Sequence, residues 1–109
     1  MPATVYLGRD NAVTLNLKQD GAAPAENTIT KAALWIPGEA FSDDTPQVFD
    51  TDGSELTLTN NATSVRLDLG SIALSPGTYW AFLTIYDAVH TNGIAWDAVE
   101  ITVRDWPAS

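Results

Sequence analysis

Carboxylates are the side chains in this sequence best placed to do chemistry, and five of the 14 gather in one stretch. Asp50-Thr51-Asp52-Gly53-Ser54-Glu55, with Asp43 and Asp44 shortly before it, offers the hard oxygen ligands that calcium takes. The spacing fails the EF-hand pattern, which wants a third oxygen ligand before the glycine and a Glu several residues later. A solvated acidic loop is the simpler expectation for Asp43 to Glu55. Paired carboxylates also serve general acid–base work, but these sit in turn-forming segments with no sign of a shared pocket. His90, the sole histidine, stands near Asp87 in a loop. A serine-type triad would need a positioned nucleophile, and the chain has no G-x-S-x-G elbow. It has no phosphate-cradling glycine loop either. The absence of cysteine excludes disulfides, thiolate chemistry and Cys-ligated zinc. We therefore expect no enzyme, no catalytic residue, no metal and no cofactor.

Aromatic side chains are the other candidates. Tyr79-Trp80-Ala81-Phe82-Leu83-Thr84-Ile85-Tyr86-Asp87 is rich in strand-forming residues. The loop Ala88 to Gly93 reverses the chain, and Ile94 to Arg104 returns, so the two runs read as a hairpin. Side chains alternate across a strand. Tyr79, Leu83, Ile85, Val99, Ile101 and Val103 are expected in the core. That leaves Trp80, Phe82, Tyr86 and Trp96 for the outer face. A sandwich strand buries one face only, so this cluster either meets a partner or lies under a loop or terminus of the same chain. The same rings could stack on sugars, with acidic loop residues taking hydroxyls, which would make a carbohydrate-binding module for host-surface glycans.

Composition bounds these readings. The chain has 109 residues, 45% of them hydrophobic, consistent with a single domain over 1–109 and a modest core. A net charge of −9, from 14 acidic and 5 basic residues, argues against nucleic acid, whose backbone needs clustered Lys and Arg. No run reaches membrane-spanning length, and Met1-Pro2-Ala3-Thr4 lacks a basic-plus-apolar signal pattern. Synthesis in a cytoplasm is expected. Homo-oligomers are compatible with an aromatic patch or an open sheet edge.

The elements that must hold the aromatic face follow in order. Thr4 to Leu7 is a short strand ended by Gly8, and Arg9-Asp10-Asn11 turns. Val13, Leu15 and Leu17 alternate with polar residues, the clearest half-buried strand. Gln19 to Asn27 is a polar loop. Thr28 to Ile36 is a strand stopped by Pro37-Gly38, with Ala32, Leu34 and Ile36 on one face and Lys31, Ala33 and Trp35 on the other. Glu39 to Gly53 is undecided, with Gln47-Val48-Phe49 a candidate edge strand. Leu56 and Leu58 face inward, Asn60-Asn61-Ala62-Thr63 turns, and Val65, Leu67 and Leu69 alternate. Trp106 in the tail is either a lid on the core or a contact to a neighbour. Little helix is expected. Seven to eight short strands at regular spacing read as an all-β sandwich of antiparallel strands with immunoglobulin-like topology.

Two resemblances extend this reading. Leu74-x-Pro76-Gly77-Thr78-Tyr79 resembles the turn before the sixth strand of fibronectin type III and related domains, where a Tyr hydroxyl ties back to backbone. Tyr6-Leu7-Gly8-Arg9-Asp10-Asn11, the strand Val13-x-Leu15-x-Leu17, and Tyr86-Asp87 followed by Asn92-Gly93-Ile94-x-Trp96 together resemble small structural proteins of tailed bacteriophages. They are also similar to the N-terminal, virion-attaching domains of some baseplate and receptor-binding components. The resemblance implies a non-enzymatic virion protein, made in the host cytoplasm, whose partners are other virion subunits. It transfers no catalytic residues. Without a long C-terminal extension, an adaptor, tail accessory or capsid decoration role is expected over host recognition.

Overall fold

Two sheets enclose the apolar residues that the alternation marks out. The computed structural model describes residues 2–9, 13–18, 24–70 and 72–105. Its elements are β1 (Pro2–Tyr6), β2 (Val13–Asn16), β3 (Ile29–Ile36), a 3-10 turn (Gly38–Ala40), β4 (Gln47–Asp50), β5 (Leu56–Thr59), β6 (Ser64–Leu67), β7 (Gly77–Asp87) and β8 (Ile94–Arg104). The larger sheet has the order β1-β8-β7-β3-β4 and the smaller β2-β6-β5. The expected antiparallel pairing is corrected at β1, which runs parallel to β8, while every other described pair is antiparallel. The turn at Arg9-Asp10-Asn11, much of the Gln19 to Asn27 loop, and Trp106 lie wholly or partly outside the described residues.

Burial in most strands follows the alternation. In β2, Leu15 is buried while Thr14 and Asn16 are exposed, and Leu17 just beyond is fully buried. β6 sends Val65 and Leu67 inward, with Leu69 following, and β5 sends in Leu56. Facing them are Ala32, Leu34 and Ile36 of β3, Ala81, Leu83 and Ile85 of β7, and Val99, Ile101 and Val103 of β8. These residues form one cluster. Fully burying a Leu or Ile side chain stabilises a fold by about 1.5–3 kcal/mol, so this two-sided seam is what binds the sheets.

The segment that the sequence leaves undecided resolves into two short pieces. The 3-10 turn at Gly38–Ala40 buries Ala40, with Phe41 just after it, and β4 then pairs antiparallel with β3. Gly38 is required here by space, because a Cβ would run into the Asp44 carbonyl. The β5–β6 turn is built on successive left-handed residues, Asn60 (φ 53°), Asn61 (φ 56°) and Ala62 (φ 60°). Asn tolerates that region, whereas Ala does so only at a steric penalty. Thr63 secures the turn by donating its hydroxyl to the Asn60 carbonyl at 2.7 Å.

Entry into β7 is fixed by Tyr79. Its ring is buried, and its hydroxyl donates to the Ser75 carbonyl at 2.8 Å, with the Pro76 carbonyl 3.3 Å away. The side chain thus locks the Ser75-Pro76-Gly77 corner to the strand that the corner launches. Removing the hydroxyl leaves a carbonyl short of its partner. Tyr79→Phe is expected to lower stability by about 1 kcal/mol in urea unfolding, and an unchanged midpoint would show that the tie contributes nothing.

Candidate functional site

β7 lies in the middle of the larger sheet, so one of its faces meets the core and the other faces outward. Tyr79, Ala81, Leu83 and Ile85 point in. Trp80 and Phe82 point out, and are 54% and 51% exposed. Both occupy the face expected from the alternation.

The cross-strand register extends that face beyond the hairpin. Phe82 lies opposite Trp35 on β3 and opposite Ala98 on β8, and Trp35 lies opposite Val48 on β4. Val48, Trp35, Phe82 and Ala98 therefore form one apolar row across four neighbouring strands. Trp35 is 36% exposed and Val48 59%. The Trp35 and Phe82 ring centroids are 5.5 Å apart with planes tilted 42°, within the range of a favourable aromatic pair. Trp80 flanks the row, opposite Glu100. A contiguous exposed apolar surface of this kind marks interaction sites on soluble domains. Trp35 and Val48 were missing from the sequence-derived site. Trp35 shares its face with Lys31 in the alternation of β3, but which strand lies beside it is not a local property.

Tyr86 and Trp96 are placed differently. Tyr86 is half-buried by its own chain. The Lys31 ammonium lies 5.4 Å from its ring centroid, and Gly93 (φ +87°) passes so close that a Cβ there would press on the ring and on Thr84. For Trp96 the outer-face expectation is corrected by an irregularity. Leu83 pairs with Asp97 but Thr84 pairs with Ala95, so Trp96 is an extra residue in β8. Such a bulge re-aims side chains. Trp96 packs against the core cluster and is half-buried. Its indole N–H is buried with no hydrogen-bond partner. It still borders the aromatic face, lining a cleft together with Phe82.

The carboxylates do not converge. Lys31 Nζ lies 3.5 Å from Asp50 and 3.7 Å from Asp52. Asp50 also accepts the Asp52 N–H, Asp43 accepts the Thr45 N–H, and Glu55 accepts the Ser54 hydroxyl. These are local turn contacts and a cation pairing. Among the described residues no group of three or more His, Cys, Asp or Glu is arranged to hold a metal ion. Nor is any helix there long and apolar enough to cross a membrane.

His90 and Asp87 form a loop clasp. Asp87 accepts the N–H groups of Val89 at 2.9 Å and His90 at 2.7 Å, and His90 Nδ1 lies 2.9 Å from the same oxygen. The backbone hydrogen bond from His90 leads in holding the Asp87 carboxyl below its ordinary range, with the His90 side chain and the Val89 N–H adding to it against a partial desolvation. The clasp is on the surface, and no nucleophile accompanies it in the contacts described. In comparisons with known proteins, the chain matches no family model and no curated protein.

Two outcomes follow from this geometry. Trp96→Phe removes ring volume but also an unmet buried donor, and these effects oppose one another. Urea unfolding should show a change smaller than about 1 kcal/mol, and a loss several times larger would show that the N–H is satisfied. Asp87 has a lowered carboxyl pKa in the folded chain, so its clasp is fully present above the unfolded-state value and is lost as pH falls through the folded one. In an NMR pH titration the Val89 and His90 amides should move with a midpoint below the usual Asp value of about 3.9. A midpoint at or above it would contradict the clasp.

Proposed function

We propose that this chain is a non-enzymatic structural protein of a bacteriophage virion, an adaptor, tail accessory or capsid decoration protein, that docks through the outer face of its larger sheet. The observation carrying the docking part is the in-register row of exposed Val48, Trp35 and Phe82 with half-buried Ala98, and exposed Trp80 beside it, on a fold that already has a full core. Trp is enriched among interface hot spots, and rigid aromatics bury much area for little lost freedom. The virion part rests on the sequence resemblance. In this reading the fold is an immunoglobulin-like sandwich, a finer assignment supported by the sheet orders and by the Tyr79 hydroxyl tie. The partners are virion subunits, and the protein is made in the host cytoplasm before assembly.

A glycan-binding module is the competing reading. Sugar rings stack on flat aromatic platforms, and the 42° tilt between Trp35 and Phe82 breaks such a platform. That geometry favours an uneven protein surface over a pyranose face.

The test is particle association. Trp80→Ala with Phe82→Ala changes side chains that are about half exposed and lie outside the core, so the variant should fold, with a midpoint lowered only by the lost Trp35–Phe82 contact, worth about 0.5–1.5 kcal/mol. Each hot-spot truncation typically costs about 2 kcal/mol or more of binding, so co-sedimentation with assembled particles should be lost. A folded double variant that sediments with particles like the parent would overturn the proposal.

A further inference from the structure

We propose that the β8 bulge builds a receptor cleft for an arginine side chain, supplied by a basic segment of the protein that covers the aromatic face. This inference rests on the docking reading above and names the partner's chemistry. The cleft has a volume of about 270 Å³ and is lined by Phe82 and Trp96, by the small residues Thr84, Ala95 and Ala98, and by Asp97. It exists because of the bulge. The extra residue packs Trp96 against the core cluster and puts Ala95, in place of Trp96, opposite Thr84. Bulges gather beside functional sites. Here the bulge falls on Trp96, whose ring lines the cleft.

The chemistry of the lining selects the occupant. Asp97 is the only ionisable side chain in it, and no Lys or Arg lies there to neutralise it. One Asp97 oxygen accepts the Ala98 N–H at 2.8 Å, which anchors the carboxylate at the cleft. An acid flanked by two aromatic rings suits a planar cation, which can lie on a ring face and hydrogen-bond to the carboxylate together. Arginine does this better than lysine, whose compact charge is more strongly hydrated. The volume is smaller than the roughly 300–1,000 Å³ of small-molecule sites, so a single side chain fits better than a free ligand. A second copy of this chain is opposed by its charge of −9. A basic partner is drawn by it.

The experiment is an NMR titration of the full chain with N-acetyl-arginine amide, set beside the lysine and leucine amides. Shifts should centre on the Trp96 indole and on the Ala95, Asp97 and Ala98 amides, saturate at roughly millimolar probe, and rank arginine above lysine above leucine. Asp97→Asn keeps an oxygen to accept the Ala98 N–H, so the bulge should hold. It should weaken arginine binding by roughly two- to fivefold. No shift at the cleft, leucine equal to arginine, or Asp97→Asn equal to the parent would each overturn the inference. So would a dimer seen in sedimentation that Asp97→Asn abolishes, since the occupant would then be a second copy. Particle association separates the two proposals. If the Trp80→Ala, Phe82→Ala variant loses particles while arginine amide ignores the cleft, docking stands and this inference falls. If that variant keeps particles, the docking reading falls on its own evidence.

Discussion

The register of β7 is the constraint on which the molecule depends. This strand is held on both edges, by β3 and by β8, and its inward set Tyr79, Ala81, Leu83 and Ile85 lies in the middle of the core. A slip of one residue would send Trp80 and Phe82 inward and expose Leu83 and Ile85. The core has room for only one of these sets. Burial of the aliphatic set therefore also fixes where the aromatic set points. The Tyr79 hydroxyl pins the start of that register at the Ser75 carbonyl, and the Asp87 clasp closes its far end. The exposed face is in this sense a by-product of core packing, positioned as firmly as the core itself.

Rigidity bears on what such a face can do. Side chains on the central strand of a sheet have little freedom to rearrange, so a partner meets a preformed surface. The Trp35–Phe82 contact adds to this, since each ring restricts the other. The one departure from regularity is the bulge, and it lies at the edge of the aromatic row. Flat sheet on one side and a recess on the other give the face a direction, which a plain apolar patch lacks. A directional surface sets the orientation of whatever binds it as well as its presence.

Much of this architecture was legible in the residues. Val13, Leu15 and Leu17 could only be a half-buried strand, and Leu15 and Leu17 are buried. Pro76-Gly77-Thr78-Tyr79 announced both the corner and the hydroxyl tie. The two-sided run from Tyr79 to Tyr86 placed Trp80 and Phe82 outward, because alternation leaves no other choice once Leu83 and Ile85 go in. Three features were hidden, each for a different reason. In Glu39 to Gly53 the edge strand was already suggested by Gln47-Val48-Phe49, but the 3-10 turn before it is too short to impose a periodicity. The bulge leaves no trace, because Trp96, Ala98, Glu100 and Thr102 alternate as well as an unbroken strand would. Trp35 belongs to the face only because β3 lies beside β7, and sheet order is a long-range property that no local pattern records.

The parallel pairing of β1 with β8 bears on how the molecule comes into being. Pro2 is matched to Glu100 and Tyr6 to Arg104, so the first described strand is completed by the last. During translation β1 has no β8 edge to join until every strand between them has emerged. Contacts this distant in sequence slow folding, and an unpaired strand is exposed while it waits. In a crowded nascent pool, β1 of one molecule can also complete the β8 edge of its neighbour, an exchange that uses the same hydrogen bonds and conserves every buried contact. Timing of synthesis, as much as final stability, then decides whether each molecule closes on itself.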